Sequence, residues 1–237
     1  MRHILLILSL CYGSAFMAQT PTAEEVLNKS IAFHDPDGKW KTFGGKFQVL
    51  MKTPNSSDRL STITIDSPKQ CFDLLVEKDS DSYGYHFGKG KCIPFLNGSN
   101  EISEEDRKTY RLTCERGETM KNYYTYLYGL PMKLKDQGTI LDPEVQTKKF
   151  KGKEYLVLKV NYEEGVGKDV WYFYFDPKTF AMEVYQFYHD QGKNDGEYIL
   201  LEGLEEINGI KMPKTRAWYV NSDNKYLGTD ILEKTSK

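Results

Sequence analysis

His34-Asp35-Pro36-Asp37 sets an imidazole beside two carboxylates, donor types that hold metal ions. A metal centre needs further convergent ligands, and no second histidine stands at H-x-x-x-H or Cys/His spacing. The segment reads instead as a helix end whose aspartates satisfy local backbone donors. Asp79-Ser80-Asp81-Ser82 and the run Asp190 to Gly196 carry the oxygen ligands that calcium prefers. The ordered D-x-D-x-D-G loop with its final glutamate is missing, so both read as solvated turns. Asp169, Glu183, Asp195 and Glu197 lie near aromatic runs, where paired carboxylates could hydrolyse a glycosidic bond. Nothing in the spacing brings two of them to the required separation. Cys71 falls in a strand pattern and reads as a core or disulfide residue rather than a nucleophile. G-x-S-x-G, S-x-x-K and G-x-G-x-x-G are absent. No catalytic residue, metal site or cofactor is expected.

The aromatic content suggests binding instead. Aromatics make up 14% of the chain, and tyrosine leads with 17. They concentrate between Gly167 and Leu201, which reads as a β-meander turning at Asp176-Pro177-Lys178-Thr179 and again near Asp190 to Gly196. Strand side chains alternate, so Trp171, Phe173 and Phe175 share one face, and Val170, Tyr172 and Tyr174 share the other. With Tyr185 and Phe187, the first set could floor a hydrophobic cavity. Tyr123, Tyr124, Leu127, Leu130 and Met132, from the stretch Asn122 to Leu134, could form its lid. The alternative is a tyrosine-rich core that fills its own space. A slip of one residue would exchange Trp171 for Tyr172.

These positions need a scaffold. Thr22 and Glu25 form a capping box opening a helix that ends at Asp35-Pro36. Five closely spaced β-rich runs follow between Phe43 and Leu96, and their short turns require antiparallel pairing. Ser103 with Asp106 opens a helix expected to reach about Leu112. A second is expected from about Glu115 to Tyr128, stopped by Gly129 and Pro131. Strands resume at Val145 and continue to Leu232, with Asn208-Gly209 the clearest hairpin signal. The total is about ten or eleven strands. The expected fold is mainly β (α+β): a curved antiparallel half-barrel with an N-terminal helix and a two-helix insertion as lid.

The chain opens with Arg2, His3 and an apolar run from Ile4 to Tyr12, read as a secretory signal peptide over residues 1–18. Cleavage is expected after Ala18, with Ala15 as the alternative. Leu10 before Cys11 argues against a lipid-anchored form. Residues 19–237 would form a single domain, exported to the periplasm, with no transmembrane segment. Cleavage removes Arg2 and moves the net charge from −2 to −3, which attracts neither nucleic acid nor anionic lipid. Export permits a disulfide. Cys92 and Cys114 bracket the insertion and are the preferred pair, although spacing alone leaves Cys71 open as a partner.

The order of elements resembles the periplasmic lipoprotein carriers and receptors of the LolA and LolB type, which implies an apolar cavity beneath a helical lid. A closer resemblance is carried by His34-Asp35-Pro36, the run Asn122 to Leu134, Gly167-Lys168-Asp169-Val170-Trp171, Asp195-Gly196-Glu197-Tyr198 and Leu227-Gly228-Thr229-Asp230. These are similar to the DUF6503 group of exported Bacteroidota proteins, which implies a Bacteroidota source and transfers no catalytic residue. The expected function is a non-enzymatic, monomeric binding or carrier protein of the cell envelope for a hydrophobic ligand, either a lipid or a lipoprotein acyl chain. The alternative is an interaction module with a self-filled core and no ligand.

Overall fold

The computed structural model describes residues 20–235, so the expected signal peptide lies outside the described residues. Helix α1 spans Ala23–His34, and Thr22 and Glu25 cap it reciprocally as their spacing predicts. Five strands follow: β1 (Gly44–Thr53), β2 (Ser56–Asp66), β3 (Cys71–Lys78), β4 (Asp81–Gly88) and β5 (Lys91–Leu96). Two helices come next, α2 (Glu104–Thr109) and α3 (Cys114–Gly129). Seven strands complete the chain: β6 (Thr139–Phe150), β7 (Lys153–Tyr162), β8 (Val170–Phe175), β9 (Met182–Tyr188), β10 (Glu197–Ile207), β11 (Ile210–Val220) and β12 (Tyr226–Lys234).

All twelve strands form one antiparallel sheet in the order β5-β4-β3-β2-β1-β12-β11-β10-β9-β8-β7-β6. Every neighbouring pair is joined in sequence except β1 and β12, which link the two halves. The sheet curves without closing, so β5 and β6 are its edges. This topology fixes the path of the insertion. The chain leaves one edge at β5 and must re-enter at the other as β6, so α3 crosses the concave face.

The sheet has twelve strands against the expected ten or eleven, and β6 begins at Thr139 rather than Val145, running past Pro143 with a bulge between Leu141 and Val145. Helix α2 stops at Thr109, short of the expected Leu112. Arg111 adopts a left-handed backbone (φ 55°) and turns Leu112 into the core.

The main core lies on the concave face. Phe47, Val49, Ile63, Phe72, Leu74 and Tyr85 face it from one half, and Leu158, Phe173, Tyr185, Ile199, Met212 and Leu232 from the other. A second, smaller cluster on the opposite face joins Tyr155, Val157, Tyr172, Tyr174 and Val184. Both faces of the meander are therefore buried, which accounts for its doubly apolar sequence.

Candidate functional site beneath the crossing helix

Cys92 and Cys114 are joined by a disulfide that ties the first turn of α3 to β5. Thr113 caps that turn by accepting from Arg116 N–H. Gly117 lets the helix lie against Tyr85, since a Cβ there would stand 2.7 Å from the ring. At the far end a Cβ on Gly129 would stand 2.2 Å from Trp40. Between these seats Tyr124, Leu127 and Tyr128 turn into the sheet. Tyr124 Oη donates to Ser61 Oγ at 3.0 Å, and the Tyr128 ring packs 5.0 Å from Phe47.

All ten residues expected to line a cavity lie in or against the concave-face core. Tyr124, Leu127, Leu130, Met132, Phe173, Phe175 and Tyr185 are buried, while Tyr123, Trp171 and Phe187 are partly exposed. The lid and floor side chains occupy the space between them.

Open space lies at the end of the sheet where β8, β10 and β12 begin and β1, β7, β9 and β11 finish. One cavity of about 500 Å³ is bordered by Tyr126, Tyr162, Trp171, Lys133 and the loop 165–169. A second of about 230 Å³ is bordered by Met51, Tyr123, Trp218, Leu227, Glu197 and Asp230. A series of ring contacts connects them: Tyr126–Trp171 (5.7 Å), Trp171–Tyr185 (6.1 Å), Tyr185–Trp218 (6.3 Å) and Trp218–Tyr123 (6.5 Å). Phe187 stacks on Trp171 at 4.8 Å. The ring at this mouth is amphipathic. Tyr126 and Tyr162 share a hydroxyl hydrogen bond, and Trp218 Nε1 donates to Asp230 at 3.3 Å.

Immediately inward the interior turns polar. Arg216 is fully buried. Its Nη1 donates to Pro213 O at 2.9 Å and its Nη2 to Leu127 O of α3 at 3.4 Å. The guanidinium also lies 3.9 Å from the centre of the Tyr128 ring. Asp230 is its cross-strand neighbour, yet the pair forms no ion pair among the described residues. Burial raises the Asp230 carboxyl above its usual range, against the opposing charges of Arg216 and Arg59. Arg216 Nε, Tyr128 Oη and Tyr185 Oη are buried with no hydrogen-bond partner among the described residues. Sequence reasoning missed this centre. Its one available signal was Arg216 itself, in a strand from Ile210 to Val220 whose other polar residues are Lys211, Lys214 and Thr215.

The candidate chemical groups lie elsewhere. His34 is buried at the end of α1: Nδ1 donates to Lys211 O at 2.6 Å and Nε2 accepts from Met182 N–H at 3.0 Å. Both bonds suit the neutral ring, and burial pushes its pKa down to about 4. Asp35 accepts from Lys39 and Trp40 N–H, as a turn-forming aspartate should. Glu183 pairs with Lys153 on the opposite face, and Asp169 with His189 at the strand end. No group of His, Cys, Asp and Glu suited to a metal occurs among the described residues.

The chain belongs to DUF6503, a family of unknown function whose family model matches residues 2–234. No functionally curated protein matches it in sequence. Among solved structures it is similar to a domain from Vibrio parahaemolyticus provisionally named an outer membrane lipoprotein-sorting protein domain. The identity is 14%, the TM-score 0.50, and coverage is 90% of this chain and 92% of that one. A LolA superfamily protein from Nitrosomonas europaea overlaps at 11% identity and TM-score 0.49, over 92% of this chain and 96% of that one. The shared property is the fold, an open curved antiparallel sheet. No helix among the described residues is long and apolar enough to cross a membrane.

Proposed function

We propose that this DUF6503 protein is a non-enzymatic, periplasmic binding or carrier protein whose ligand inserts an acyl chain beneath α3 from the open end of the sheet. The observation that carries this reading is the mouth. Trp171, Phe187, Trp218, Tyr123 and Tyr126 remain partly exposed at the end of the sheet that holds the two cavities, packed against the apolar core. The lipoprotein-sorting name of the Vibrio relative agrees with it.

The packed interior sets an energetic condition. Displacing α3 exposes Tyr124, Leu127 and Tyr128, at roughly 1.5–3 kcal/mol for each side chain. An entering chain returns about 0.8 kcal/mol per buried methylene, so about six to eleven methylenes offset the loss. The ligand is therefore a long chain, and short chains bind poorly. The test is native mass spectrometry of protein purified without detergent, then stripped and offered octanoate, dodecanoate or palmitate. A one-to-one adduct that strengthens with chain length supports the reading. No uptake at any length contradicts it and favours a self-filled interaction module, the reading to which the close packing under α3 also lends support.

A further inference from the structure

We infer that Arg216, Tyr128 and Tyr185 form a carboxylate-binding site under α3, so that the acyl ligand is a fatty acid held by its head at the centre of the sheet. This rests on the acyl-chain reading above and names the ligand class.

Three hydrogen-bonding atoms are buried there without a partner at hydrogen-bond geometry, Arg216 Nε–H, Tyr128 Oη–H and Tyr185 Oη–H, although Tyr185 Oη lies close enough to Arg216 to be influenced by it. All three can donate, and a carboxylate accepts from several donors at once. Leaving such groups unpaired in a buried site is costly, so their retention calls for an acceptor during the protein's working cycle. The charge balance points the same way. Asp230 stands between Arg216 on β11 and, across Met51, Arg59 on β2. One carboxylate thus faces two guanidiniums, and Arg59 Nε is also buried without a partner. The remaining charged group on the way in is Glu197 at the mouth, whose pKa burial raises. A ligand carboxylate would give Arg216 the ion-pair partner that it lacks among the described residues. A hydroxyl or an ester has the same chain but lacks the charge.

The access route is short. The smaller cavity ends on Asp230, the cross-strand neighbour of Arg216, and its walls are mainly apolar side chains. A fatty acid entering head first would bring its carboxylate to the arginine and draw the inner part of its chain beneath α3, past Tyr123 and Trp218.

The experiment compares palmitate, hexadecanol and methyl palmitate on the stripped full chain, using wild type and the double variant Tyr128→Phe/Tyr185→Phe. The variant keeps both rings, and its thermal unfolding shows directly that it folds. Palmitate is expected to bind wild type at least about tenfold tighter than the other two, as a charge-assisted hydrogen bond allows, and the variant to lose most of that preference. Equal binding of all three ligands by wild type overturns the carboxylate site and leaves the acyl-chain reading standing. An undiminished preference in the variant also overturns it. Failure of every ligand to bind overturns both.

Discussion

Helices α1 and α3 both cover the concave face, and they differ in how their polar groups are satisfied. Helix α1 ends on His34, whose two ring nitrogens each have a backbone partner on the sheet. Ser30 Oγ is its only unpartnered buried side-chain atom among the described residues. Helix α3 carries Tyr128 and lies over Arg216 and Tyr185, where three donors go unused. A matched interface resists displacement, because every lost bond leaves a buried group bare. An unmatched one loses less on opening and gains when an acceptor enters. In the proposed reading α1 is therefore the fixed plug and α3 the moving cover.

The largest expected effect is on α1. His34→Ala strands Met182 N–H and Lys211 C=O and opens a cavity, so it should destabilise by about 3–5 kcal/mol in urea unfolding. A loss below about 1 kcal/mol would remove the basis for calling α1 fixed.

The disulfide has the next effect, and on the other helix. It closes a loop of 22 residues, so Cys92→Ser/Cys114→Ser should cost about 3 kcal/mol. Hydrogen exchange should accelerate in α3 and not in α1. Equal acceleration in both helices would contradict their independence.

The pH dependence has a comparable size and a definite sign. His34 has a folded pKa of about 4 against an ordinary 6.5. Its stabilising contribution is therefore complete above 6.5 and is lost as pH falls towards 4, reaching about 3 kcal/mol. Asp230, with its pKa raised, acts in the opposite sense, favouring the fold at low pH and losing that contribution as pH rises. The His34 contribution is isolated by subtracting the profile of His34→Gln. Profiles that run parallel would show that the ring is not held neutral.

Among these stability changes the smallest sharpens the contrast from the side of α3. Tyr185→Phe deletes a hydroxyl that has no partner, so unfolding should show a gain or a change within about 0.5 kcal/mol. A loss above about 1.5 kcal/mol would mean that the hydroxyl is paired in the folded protein.

Much of this architecture was legible in the sequence. Turn chemistry placed the meander, and alternation put Trp171, Phe173 and Phe175 on one face. The stop at Gly129 and Pro131 located the end of α3 because it is local, whereas its cap at Thr113 was not read. What escaped was set by distant contacts. Leu112 leaves the helical path because Arg111 turns left-handed, and β6 extends through Pro143 because a bulge absorbs it. The polar centre was illegible for the same reason. Arg216, Asp230, Tyr128 and Tyr185 come from four separate elements, and only the strand register between β11 and β12 and the crossing of α3 bring them together.

The difference between the helices is tested most directly by hydrogen exchange of the stripped protein with and without palmitate. The account predicts that amides of α3 from Gly117 to Gly129 exchange faster than those of α1 from Val26 to His34, and that palmitate slows α3 while leaving α1 unchanged. Equal exchange in the two helices, unaltered by palmitate, would contradict it.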